Sequence, residues 1–163
     1  MAEKDPRAHL IEMIEDFGTA MLVTSSADGT IHSRPMAVQQ VKRDGGIVFC
    51  TALDSPKVEE MKADPRVAVI FQGKTQFVTV SGLVEIDRNR KRIHDLWKAD
   101  WKIWFPDGPD DPNLCLLDVE PIEGEYWDNS GARGIRYVIN AAKAVVQGKS
   151  PKETTENNAK VSL

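Results

Sequence analysis

Residues 20–41 read AMLVTSSADGTIHSRPMAVQQV, and this stretch decides the fold class. Two apolar, β-branched runs flank the turn Ala27–Asp28–Gly29, the strongest short-range signal for a β-hairpin. A hairpin makes its two strands antiparallel, which argues against a chain of βαβ units. Outward from it the same grammar continues. RDGG at 43–46 is a second turn, and IVFCTA at 47–52 a third strand. RVAVIFQ (66–72) and TQFVTVSGLVEI (75–86) form a further hairpin around Gly73–Lys74, and LCLLDVEPIEGEYWD (114–128) reads as two last strands with a break at Pro121. Helices fill the gaps. Asp5–Pro6 caps and starts one whose buried face is Leu10, Met13, Ile14 and Phe17. Ser55–Pro56 starts a second, ending near Ala63 before Asp64–Pro65. Asp87 reads as the cap of a third reaching about Phe105, with Ile93, Trp97, Trp101 and Trp104 on one face. About seven antiparallel strands with two or three helices imply a mainly β (α+β) barrel-like fold.

Composition narrows the class. A chain of 163 residues with 41% hydrophobic residues supports a single domain, here 1–147, and the polar stretch 148–163 reads as a disordered tail. A net charge of −4 gives no electrostatic case for nucleic acid. There is no run of eighteen apolar residues to span a membrane, and MAEKDPRAHL lacks the apolar core of a signal peptide. Two distant cysteines, Cys50 and Cys115, suit a reducing compartment. The expectation is a soluble cytoplasmic protein.

Familiar chemical motifs fail. GKT at 73–75 and GKS at 148–150 lack the earlier glycine of a phosphate-binding loop, since Ala68 and Lys143 stand there. His9, His32 and His94 lie on three different elements without metal-ligand spacing, and the aspartates at 107, 110 and 111 do not form a calcium loop. Cys50 reads as a small core residue rather than a nucleophile.

Two segments carry more. In FCTALDSPKVEEM (49–61), Lys57 falls in the first turn of a helix, where the dipole disfavours a cation. Either an anion sits there, or the lysine is solvated and offset by Glu60. Thr51, Ser55 and Lys57 with exposed amides suit a phosphomonoester. In SRPMAV (33–38), Pro35 cannot donate to a sheet, so it marks an edge or bulge whose free backbone groups suit a flat heterocycle beside Met36. An ordinary edge strand with a surface arginine at position 34 is the other reading.

Together the hairpin 20–38, the strand-to-helix segment 49–69, TQFVTVSGLVEI and LWKADWKIWFPDGPDDPNLCLLDVEPIEGEYWD resemble the general stress protein group of the pyridoxamine 5′-phosphate oxidase-like, FMN-binding split-barrel superfamily. The resemblance spans about residues 7–129. It implies a six-stranded antiparallel split β-barrel and a homodimer with FMN at each side of the interface. By position, it implies that Arg34, Pro35 and Met36 line the isoalloxazine edge, and that Phe49, Cys50 and Thr51 run beneath the flavin and its ribityl chain. Ser55 and Lys57 hold the phosphate. Gln76, Trp101 and Trp104 are candidates for completing the pocket from the partner.

The chain departs from true pyridoxamine phosphate oxidases after Trp127. NSGARGIRYVINAAKAVVQGK, with Arg133 and Arg136, does not match their substrate-gripping segment, so oxidation of vitamin B6 is not expected. Two functions remain: a flavin-dependent oxidoreductase acting on a small molecule, with NAD(P)H as candidate reductant, or a non-enzymatic protein that stores, buffers or senses flavin. Haem lacks a placed axial histidine, and a deazaflavin tail calls for a longer basic groove.

Overall fold

A computed structural model describes residues 5–148 and 157–163. Helix α1 (Pro6–Glu15) is started by Asp5, whose carboxylate accepts from the Arg7 amide at 3.3 Å, and it buries Leu10, Met13 and Ile14. Strands β1 (Thr19–Ser25) and β2 (Ile31–Ala37) form the expected hairpin, in register from Thr19 opposite Ala37 to Ser25 opposite Ile31. Gly29 makes the turn possible with φ +85°, a left-handed conformation costly for a side-chain-bearing residue. A two-residue strand β3 (Gln40–Val41) pairs with β4 (Ile47–Ala52), and helix α2 (Pro56–Ala63) follows. Then come β5 (Arg66–Gln72), β6 (Gln76–Asp87), helix α3 (Arg90–Leu96), β7 (Leu114–Asp128), helix α4 (Gly131–Val146) and β8 (Asn158–Ser162).

All pairings among the described residues are antiparallel, in the order β2-β1-β5-β6-β7-β4-β3, with β8 added to the far half of β7. The sheet curls until β2 and β4, which are not paired, come within 8 Å. The result is the split half-barrel that the resemblance implies. Its six strands of six or more residues are the six expected, and β3 and β8 are short additions. The interior holds Leu22, Phe49, Val69, Phe71, Val80 and Leu117, closed at its ends by α1 and α2. A second cluster covers the outer side of β4, where Val48, Leu114 and Leu116 meet Ile93, Trp101 and Phe105.

Three expectations are corrected. The stretch 114–128 is one strand, not two. Gly82 pairs with Pro121 and Ser81 with Glu123, so Ile122 is the extra residue of a β-bulge that absorbs the proline. Gly82 is required there, because a Cβ would lie 2.2 Å from the Glu120 carbonyl oxygen. The aromatic helix is also broken. α3 is capped by Asn89 rather than Asp87, whose carboxylate instead takes the Asn89 amide, and it ends at Trp97. A 3-10 segment, Ala99–Ile103, follows. A straight helix over 87–105 would be roughly 28 Å long, whereas the six residues of β4 span only about 20 Å. The break folds Trp101 back over β4, edge-on to Trp97 at 5.6 Å, and leaves Trp104 69% exposed. The three tryptophans therefore do not share a face.

The third correction concerns the tail. Residues 149–156 lie outside the described residues, but 157–163 are ordered. β8 pairs with β7 from Glu123 opposite Ser162 to Trp127 opposite Asn158, and Ala159, Val161 and Leu163 pack on the core. Helix α4 was not anticipated.

Candidate functional site

Thr51, Ser55 and Lys57 converge where β4 runs into α2. The connecting turn is pinned to the start of β7: the Leu53 amide donates to the Asn113 carbonyl at 2.6 Å, and Asp54 and Asn113 exchange backbone and side-chain bonds. Ser55 occupies the N-cap with extended backbone, yet its hydroxyl makes no capping bond. It accepts instead from the Lys57 ammonium at 2.6 Å, and Thr51 accepts from the same ammonium at 3.0 Å. Each hydroxyl, having accepted, keeps its own O–H to donate, and the ammonium keeps one of three N–H groups. The cluster thus offers three donors from a 51–57 segment at the positive end of a helix.

Burial lowers the Lys57 pKa below its ordinary value, and the nearby Arg34 charge lowers it further. Glu60 offsets this only in part and through space, without a direct bond to the ammonium. That carboxylate is occupied by Thr24 at 2.5 Å, His32 at 2.6 Å and the Arg34 guanidinium at 3.0 Å, bonds that hold it below the usual carboxylate range. Lys57 is thus half-buried and bonded to two hydroxyls, with Glu60 acting on it only through space. Arg34 in turn donates to Thr24 at 2.5 Å and reaches the Leu22 carbonyl at 3.4 Å. It is a braced residue rather than a loose surface arginine. Pro35 lies on edge strand β2, as its missing N–H requires, and Met36 packs inward against the core.

The remaining candidates divide by strand face. Phe49 is fully buried inside the barrel. Cys50 points the other way, into the second cluster, where burial, with help from Asp100, pushes its thiol up to about 12. It is no nucleophile at neutral pH, and its contribution toward the barrel side is backbone. Gln76 opens β6 opposite Asp128, whereas Thr51 pairs with Cys115 near the other end of β7. One chain does not bring Gln76 to Lys57. Trp101 is a core residue of the second cluster, and Trp104 projects outward.

Sequence reasoning reads Glu60 only as a counter-charge to Lys57, and its bonds to Thr24, His32 and Arg34 are what it misses. The one local signal is that His32 and Arg34 are two apart on one strand and so share a face, which does not by itself point to Glu60. Glu60 lies one helical turn beyond Lys57.

A half-open antiparallel sheet with a braced arginine on its edge strand and a lysine held by two hydroxyls at a strand–helix junction defines a split barrel. The chain belongs to the pyridoxamine 5′-phosphate oxidase like family, whose model matches residues 5–152. It is similar to general stress protein 26 of Bacillus subtilis (strain 168), 27% identical over 127 residues that cover 74% of this chain and 87% of that one. Among solved structures it is similar to one from Jannaschia sp. CCS1, provisionally assigned to general stress protein 26, at TM-score 0.71 and 25% identity over 96% of this chain and 98% of that one. A general stress FMN/FAD binding protein from Xanthomonas citri superposes at TM-score 0.67, 27% identical over 80% and 93% of the two chains.

Proposed function

We propose that this protein binds FMN, with Thr51, Ser55 and Lys57 on the phosphate and Arg34, Pro35 and Met36 along the isoalloxazine edge, and acts as a flavin-dependent oxidoreductase on a small molecule. The observation that carries the reading is the convergence of one ammonium and two hydroxyls on a helix N-terminus. A phosphomonoester presents three terminal oxygens, one for each donor. That match favours FMN over FAD, whose phosphates are internal diesters. The similarity to the FMN/FAD binding protein of Xanthomonas citri supports a flavin. Bound there, FMN supplies the redox chemistry at its ring, while this chain supplies binding, orientation and exclusion of water.

In this reading the protein is a homodimer in the cytoplasm, and the partner closes the pocket, with Gln76 and Trp104 as its contributions. Oxidation of a B6 vitamer is not proposed. Arg133 is tied internally to Asp128 and His9 rather than presented to a substrate.

The test begins with a visible spectrum of the purified protein after FMN addition and removal of the excess. A retained flavin band displaced from that of free FMN is expected. Lys57→Ala is expected to weaken FMN about ten- to a hundred-fold, since a charge-assisted bond contributes about 1.5–3 kcal/mol, and to leave riboflavin almost unchanged. Equal losses for both ligands would overturn the phosphate assignment. Anaerobic reduction by NAD(P)H then separates an oxidoreductase from a protein that only holds flavin.

A further inference from the structure

Glu60 stands one turn beyond Lys57 on α2 and ties that helix to both strands of the first hairpin. Its Oε2 accepts from the Thr24 hydroxyl of β1 at 2.5 Å and from the Arg34 guanidinium of β2 at 3.0 Å. Its Oε1 meets the His32 ring, also on β2, at 2.6 Å. Thr24 in turn accepts from Arg34 Nη1 at 2.5 Å. Arg34, Thr24 and Glu60 therefore close a ring of three hydrogen bonds. The Glu60 side chain is only 11% exposed, so the ring forms largely out of water, where charged bonds are strongest.

The ring decides which side of the guanidinium is left over. That group is a planar fork with five N–H donors. Nη1 gives its two to Thr24 and, at 3.4 Å, to the Leu22 carbonyl, and Nη2 gives one to Glu60. Among the described residues, the second Nη2–H and the Nε–H make no hydrogen bond. These two lie side by side along one edge of the fork, a geometry that suits two adjacent acceptor atoms.

We infer that Glu60 is a positioning residue: with Thr24 it locks Arg34 so that the Nε–H edge is held open for a planar heterocycle. The identity of that heterocycle rests on the flavin reading, since the pyrimidine end of an isoalloxazine carries adjacent nitrogen and carbonyl acceptors. An arginine already held in place spares the ligand the cost of ordering a long side chain on binding. The carboxylate also lets two cations serve one ligand. The Arg34 charge opposes that of Lys57, and Glu60 favours it. One helix thus supplies the phosphate cradle with Lys57 and steadies the ring end of the same site through Glu60.

Nitrogen NMR of the full chain and flavin titrations at pH 7 test it. In the ligand-free wild type, rotation about the Arg34 Cζ–N bonds is expected to be hindered, giving separate Nη1 and Nη2 signals that merge in Glu60→Ala. Glu60→Ala is expected to weaken riboflavin and FMN alike by about ten-fold or more, the scale of one charge-assisted bond. Glu60→Gln, which keeps an acceptor in place, is expected to weaken them less. In an Arg34→Met background Glu60→Ala is expected to add nothing, whereas a tie that only fastened α2 to the hairpin would cost the same in both backgrounds. Thr24→Val breaks the same ring with little change of shape and is expected to repeat these results, which keeps the test open if Glu60→Ala does not fold. Merged Arg34 signals in the wild type, a loss of FMN without a loss of riboflavin, or an undiminished Glu60→Ala effect beside Arg34→Met would each overturn the inference. Separate signals that merge in Glu60→Ala, in a protein that takes no flavin, keep the positioning role and remove the flavin reading. A flavin-loaded protein indifferent to Glu60→Ala does the reverse.

Discussion

Lys57 is charged in a place where both burial and a neighbouring arginine oppose the charge, so its proton is the site's most sensitive handle. Its folded pKa lies below 10.5, its ordinary value. Below that folded pKa the full penalty of holding the ammonium is present. As pH rises toward 10.5 the folded chain releases a proton that the unfolded chain keeps, and stability recovers. A phosphate needs the protonated form. FMN affinity is therefore expected to decline with its midpoint below pH 10.5, and to be flat over that range in Lys57→Met; fluorescence titrations from pH 7 to 10.5 would show it. At this scale the sequence was legible where residues are close in the chain, as with Thr51, Ser55 and Lys57. It was not legible for Glu60, whose three partners come from strands 26 to 36 residues away.

Among elements, α1, β7 and α4 are tied together by a buried ionic cluster. Asp128 is fully buried and is bonded by His9 at 2.9 Å, by the Ser130 hydroxyl at 2.6 Å and amide at 3.0 Å, and by Arg133. Burial pushes its carboxyl upward, but these bonds outweigh burial and hold it below the ordinary 3.8. Its stabilisation is thus present above that ordinary value and is lost as pH falls through the lower folded one. Removing one partner from a buried ionic cluster costs about 3–5 kcal/mol. Asp128→Ala should approach that loss in urea unfolding at pH 7, and its stability should fall less than the wild type's below pH 4. Hairpins and capped helices were readable because their signals are local: Gly29 in its turn, and Asp5 and Pro6 at a helix start. The aromatic helix misled because spacings of four, four and three match an α-helix, while the length of sheet to be covered decided the break. α4 escaped because its apolar residues have no interior to face.

For the whole molecule, β8 is the element that most changes the picture drawn from composition. A polar tail was expected, yet Leu163 reaches within 3.2 Å of where a Cβ on Gly124 would stand, and the Leu163 amide donates to the Ile122 carbonyl at 3.0 Å. Ending the chain after residue 156 is expected to cost about 2–4 kcal/mol through lost apolar contact and an unpaired β7 edge. Urea denaturation midpoints, at unchanged m-value, would record it. Alternation too weak to stand out in NAKVS becomes a strand only because β7 offers it a partner.

The strand order also sets a timetable. Thr51, Ser55 and Lys57 lie together in the chain, but β4, which presents them, has only the two-residue β3 beside it until β7 exists. Cys115, the β7 partner of Thr51, comes 64 residues later. Contacts so distant form slowly, and on the ribosome they wait for synthesis itself. The cradle is among the last parts of the protein to take shape. A nascent or truncated chain carries the lysine with nowhere to hold it, and any ligand that grips the cradle selects for finished molecules.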